Sequence, residues 1–81
     1  MQIDEFRKFN RLQQWHIAKE LGSIFFHKTN PNHHIRIFQM DGYFVEIWEN
    51  LNNQMLDSLE VYQSSRLLEK YASQIDLNDL Y

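Results

Sequence analysis

The sequence predicts an α+β fold: a four-stranded antiparallel meander sheet with an N-terminal helix and a C-terminal helix, in the order α-β-β-β-β-α. Three observations carry this. Between Ser23 and Tyr62, four short runs rich in aromatic and β-branched residues alternate with turn-forming Asn, Pro, Gly and Asp. The turns are short, which makes the sheet a meander with hairpin connections. Residues 4–21 and 64–73 flank this block with helix-type spacing and terminal capping residues.

The first segment, from about Asp4 to Leu21, reads as a helix closed by Gly22 at the position where a left-handed residue is favoured. At 100° per residue, Ile3, Phe6, Phe9, Ile17 and Leu21 share one face, and Arg7, Lys8, Arg11 and Lys19 share another. Asn10 and Gln13 interrupt the apolar stripe, and Trp15 falls on the basic side. An alternative therefore ends the helix near Asn10 or Leu12, with extended chain after it.

The strands follow in order. Ser23–His27 is short and aromatic, and Lys28–Asn32, with Pro31 between two Asn, reads as a loop. The second strand, His33–Met40, ends at Asp41-Gly42, the dipeptide favoured by two-residue type I′ hairpins. Tyr43–Asn50 is the third strand, Leu51–Asn53 turns the chain, and Gln54–Tyr62 is the fourth. Ser64 or Ser65 then caps the second helix, in which Leu67, Leu68, Tyr71 and Ala72 are available for packing, and Asp76 caps a short turn with Leu77 and Leu80.

At 81 residues the chain reads as one domain (1–81), near the lower end of sizes that fold alone. It has no Cys, so neither a disulfide nor a thiolate metal site staples it, and idealised packing or oligomerisation is the remaining support. No apolar run approaches the ~20 residues of a bilayer span, and MQIDEFRKFN carries no signal-peptide core, so the expectation is a soluble, cytoplasmic protein. Charge is polarised: residues 1–40 hold six Lys or Arg against three acids, and residues 41–81 hold two against eight.

Hairpin geometry converts the strands into faces. The Asp41-Gly42 turn sets Phe38 opposite Val45 and Arg36 opposite Ile47. A three-residue second turn sets Val45 opposite Leu59, and a five-residue first loop sets Phe26 opposite His34. One face then carries Ile24, Phe26, Phe38, Met40, Tyr43, Val45, Ile47, Met55, Leu59 and Val61, the expected core. The other carries Phe25, Ile35, Ile37, Phe44, Trp48 and Leu56, broken by Gln39, Glu46, Ser58 and Glu60. An antiparallel sheet usually leaves one face wet, so six large apolar side chains on the second face call for a cover. A second copy of the chain, a terminal helix and a foreign partner are the three candidates.

Chemistry-bearing residues are few. The expected registers put His27 and His33 on one side of the first loop, two imidazoles without a third ligand, so no metal site is expected. Glu46, Asp57 and Glu60 read as rim charges that discourage sheet-to-sheet association, since no nucleophile motif or phosphate-cradling glycine loop accompanies them. The expected role is therefore non-enzymatic and without cofactor: a homodimerising interaction or accessory module with contacts centred on Ile35, Ile37, Phe44 and Trp48. The alternative is nucleic-acid binding through the basic helix face with Trp15, and four meandering strands followed by a helix is similar in outline to the repeat of PUR-type single-strand binders. The net charge of −3 opposes that alternative.

Overall fold

The N-terminal helical region forms, but as two helices. The computed structural model describes residues 1–63, and in them α1 (Ile3–Phe6) and α2 (Arg11–Leu21) are separated by a non-helical break. The break is chemically specified. Asn10 Oδ1 accepts from the Gln13 N–H (2.9 Å) while Gln13 Oε1 accepts from the Asn10 N–H (3.0 Å), a reciprocal capping box that restarts the helix. The expected single helix over residues 4–21 is thus corrected, and the two residues that interrupted its stripe are the ones that break it. Re-phasing also changes the buried face: Ala18 is buried, Trp15 and Ile17 pack on the core, and Leu21 is exposed.

Gly22 ends α2 with φ −83° and ψ 162°, extended rather than left-handed. Its glycine is required for a different reason. A Cβ there would lie 2.6 Å from the Ala18 carbonyl oxygen and 2.9 Å from both Phe38 Cβ and Met40 Sδ, so the absent side chain lets the helix end drop onto the sheet.

Four strands follow, β1 (Ser23–Thr29), β2 (His33–Gln39), β3 (Phe44–Asn50) and β4 (Leu56–Tyr62), antiparallel and in sequence order across the sheet. This is the expected meander. The expected C-terminal helix falls on residues 64–73, outside the described residues.

The central hairpin has the expected register: Phe38 opposes Val45 and Arg36 opposes Ile47. The Met40 N–H donates to the Tyr43 carbonyl (2.8 Å), with Gly42 at φ +81°. Asp41 keeps a negative φ, so the turn is not type I′, which needs both central residues left-handed.

The outer hairpins differ from expectation, each through an Asn side chain that closes its loop. Asn30 Oδ1 accepts from the backbone of Asn32 (2.9 Å) and His33 (2.7 Å), tightening the first loop to three residues and extending β1 through Lys28 to Thr29. The pairing becomes Thr29 with His34 and Phe26 with Ile37, an odd shift from the expected register, so Phe26 moves to the second face. A bulge at Phe25 restores the original parity, and Ile24 opposes Phe38 on the first face. In the second hairpin, Asn50 Oδ1 accepts from the Asn52 N–H (2.8 Å) and Asn53 Oδ1 from the Met55 N–H (2.9 Å). The loop lengthens to Leu51–Met55, and Ile47 opposes Leu59 in place of the expected Val45. This two-residue slip leaves the faces unchanged, except that an irregularity beside Glu49 turns Leu56 onto the first face and leaves Met55 exposed.

The main core lies between the helices and the first face: Phe6, Ala18, Phe38, Tyr43, Val45, Ile47 and Leu59, with Ile3, Trp15, Met40, Leu56 and Val61 around them. Phe6 packs on Tyr43 (ring centroids 5.6 Å apart), and the Tyr43 hydroxyl donates to the Met1 carbonyl at 2.9 Å. Burial, then the Asp41 and Glu5 charges, push that phenol's pKa up. On the second face, Ile37 is fully buried amid Phe25, Phe26, Phe44 and Tyr62. No helix among the described residues is long and apolar enough to cross a membrane.

Two substitutions test this account. Gly22→Ala is expected to destabilise the fold by about 1–3 kcal/mol in denaturant unfolding, through overpacking rather than backbone conformation. Ile37→Ala is expected to cost about 2–5 kcal/mol, as Ile47→Ala does on the opposite face. A cost under about 1 kcal/mol for Ile37→Ala would mean that the second face is not a core.

Candidate functional site

The expected contact residues do share one sheet face. In β2, Ile35 and Ile37 alternate with first-face residues; across the ladder Ile35 pairs with Trp48 and Ile37 with Glu46, and Phe44 follows two residues before Glu46. Their exposures divide them. Ile35 and Ile37 have no exposed surface, whereas Phe44 and Trp48 are half-buried. Phe44 packs against Phe25 from the bulge (5.0 Å between centroids), and Trp48 meets His33 edge to face at 5.2 Å. The Trp48 Nε1–H is buried without an acceptor among the described residues. Glu46 is 1% exposed in the midst of this face, opposite Glu60, and is engaged in an interaction rather than free.

The histidines are distributed differently from the sequence expectation. Because the first loop is tight, His27 pairs with Arg36 and faces the first side, where its ring meets His34 edge-on at 5.9 Å. His33 is on the other side, and its Nε2 lies 2.7 Å from Asp57 Oδ2, which also accepts from Asn50 Nδ2 at 3.2 Å. His27 and His33 are therefore not a facing pair. No cluster of three or more metal-ligating groups occurs among the described residues. The His33 contact, followed by Asn50, holds the Asp57 carboxyl below the usual carboxylate range.

A second constellation, not anticipated from the sequence, forms where α2 crosses the first face. A concavity of about 400 Å³ lies between Trp15 and Lys19 of α2 and the paired ends of β2 and β3. His34 and Arg36 form its sheet side, opposite Glu49. The loop after β3 closes it with Leu51 and with Gln54, whose φ of +61° is the one left-handed non-glycine conformation among the described residues. The Arg36 guanidinium bonds to Glu49 Oε1, and Lys19 Nζ is 4.0 Å from Glu49 Oε2 and 4.4 Å from the centre of the Trp15 ring. One carboxylate thus joins the helix to the sheet. The signal was present in part: Lys19 follows Trp15 by one helical turn, and the expected pairing of Arg36 with Ile47 already put Glu49 diagonally across from it. The height and angle of α2 over the sheet were not readable.

The basic helix face is divided by the break. Arg7 and Lys8 belong to the segment after α1, and only Arg11, Trp15 and Lys19 follow one stripe of α2, with the Trp15 ring half-buried against the core. Comparison with known proteins adds no assignment: no family model, curated protein or solved structure matches the chain.

The Asp57 contact makes a pH prediction. A depressed carboxyl pKa contributes stability that is present above the unfolded value and is lost as pH falls through the lower folded value. In His33→Ala the Asp57 carboxyl is expected to titrate closer to the ordinary range, followed by carboxyl carbon chemical shifts. An unchanged midpoint would show that His33 is not the cause.

Proposed function

We propose that the chain is a non-enzymatic interaction module that self-associates through the second face of its sheet. The observation that supports this reading is the set of large, half-buried aromatic side chains there: Phe25, Phe26, Phe44 and Tyr62 around the closed Ile37, with Trp48 beside Ile35 on the same face. Aromatic side chains with some exposed area are well suited to contacts, because they bring large buried area for little lost rotamer freedom. Ile35 and Ile37 are closed within one chain. In this reading they form the floor, and Phe44 and Trp48 meet the second copy.

The competing cover is the C-terminal helix expected from the sequence, presenting Leu67, Leu68, Tyr71 and Ala72 to the same face. Sedimentation over a concentration series separates the two. Self-association predicts a mass that rises with concentration and a Trp48→Asp variant that stays monomeric while retaining its far-UV circular dichroism. A monomeric mass at every concentration, or a Trp48→Asp variant that sediments like the parent, removes the self-association reading.

Nucleic-acid binding is the second reading, and it is favoured by the Arg11, Trp15 and Lys19 stripe on α2. It predicts oligonucleotide binding that weakens with salt and falls on Arg11→Glu. The half-buried Trp15 ring, covered by Lys19, is poorly placed to stack on a base. Absence of binding to a single-stranded oligonucleotide at low salt eliminates this reading.

A further inference from the structure

We propose that the concavity between α2 and the ends of β2 and β3 is a binding site for a small organic anion, one carrying a carboxylate or phosphate group on an apolar body. It lies on the first face and is independent of the self-association reading, which concerns the second. Its dimensions are those of a small-molecule site: about 400 Å³ falls within the ~300–1,000 Å³ range of ligand pockets.

Charge comes first. Two cations, Lys19 and Arg36, line the concavity, and Glu49 is the one carboxylate among the described residues that line it. Glu49 takes Arg36 through one terminal guanidinium nitrogen and reaches Lys19 only at 4.0 Å, a distance too long for a hydrogen bond. One positive charge is left over, and the Lys19 ammonium retains donors that Glu49 does not fill.

Donors without acceptors come second. Arg36 Nε–H and Trp15 Nε1–H are both closed from solvent and have no hydrogen-bond partner among the described residues. Buried donors are normally satisfied, and leaving one unpaired costs about 1–3 kcal/mol. Both belong to residues that line the concavity, one from the helix and one from the strand. A modest side-chain adjustment would be needed for a ligand oxygen to meet them. Gln54 also lines the space, whereas the Asn50 amide already donates to Asp57.

The apolar component comes third. The Trp15 indole and the Leu51 side chain line the same space, and Leu51 is 47% exposed. A bare inorganic ion would leave them in water. An anion with an apolar body covers them while its oxygens take the cations, the combination that such pockets reward.

The test is a titration of the full chain followed by ¹H–¹⁵N correlation spectra, in which the Trp15 indole and Arg36 Nε–H signals report directly on the walls. The probes are benzoate and phenyl phosphate. Saturable shifts at Trp15 and Arg36 are expected with at least one, and which of them binds more tightly assigns the head group as carboxylate or phosphate. Lys19→Gln, an exposed-end substitution that keeps the helix, is expected to weaken the binding by about tenfold, the effect of one charge-assisted hydrogen bond. Glu49→Gln is expected to tighten it, because the resident competitor for Arg36 loses its charge. An ion-pair cluster that only joins helix to sheet predicts neither change. Linear, non-saturating shifts with both probes in the parent and in Glu49→Gln overturn the proposal, as does an affinity that Lys19→Gln leaves unaltered.

Discussion

The register of the β2–β3 hairpin is the constraint on which the rest of the structure depends. Side chains in a strand alternate with a period of two, so once Phe38 is set opposite Val45, every residue of both central strands is assigned to a face. Phe38, Val45 and Ile47 go to the side where the helices lie, and Ile35, Ile37, Phe44 and Trp48 go to the other. A slip of one residue would turn one strand over relative to the other, setting Phe38 on the same face as Phe44 and parting Arg36 from Glu49. A left-handed glycine at position 42 and the Met40–Tyr43 bond hold the register at its closed end.

The edge strands accommodate themselves to this centre by local irregularities. The tight, Asn30-closed loop alone would send Ile24 to the second face together with Phe26; the bulge at Phe25 separates them. The second face thereby receives two consecutive phenylalanines, which a regular strand cannot place on one side. On the other edge, the irregularity beside Glu49 gives Leu56 to the core and leaves Asp57 to His33 and Asn50. Neither defect weakens the sheet's apolar division. The first places Phe26 beside Ile37, and the second adds Leu56 to the main core.

The helices show the same economy of means. A short first helix delivers Phe6 to the ring of Tyr43, and the Asn10–Gln13 capping box then reorients the chain. Gln14 Nε2 donates back to the Phe6 carbonyl at 3.0 Å, holding the two helices together across the break. With α2 set in this way, and with Gly22 permitting close approach at its end, Trp15 and Lys19 come over Arg36 and Glu49. The concavity and the helix–sheet ion pairs are thus one consequence of where α2 restarts. The charge asymmetry seen along the chain is resolved here into contact, since the cations come from the first half and Glu49 from the second.

The sequence by itself determined the α+β class, the four-strand meander and the face assignment of the central hairpin. These follow from turn chemistry and two-residue periodicity, which act between neighbours in the chain. It also placed Ile35, Ile37, Phe44 and Trp48 on one face. It did not determine how far each is buried, because burial depends on everything packed around a residue. Phe26 and Leu56 changed faces because loop closure by Asn30 and Asn50 competes with strand extension, and pairing across the sheet decides between closely balanced alternatives. The N-x-x-Q box that splits the first helix was legible but had the weaker claim against a long apolar stripe. The concavity was the least legible feature: it needs Trp15, Arg36 and Leu51 together, and only the packing angle of α2 against the sheet brings together residues so far apart in the chain.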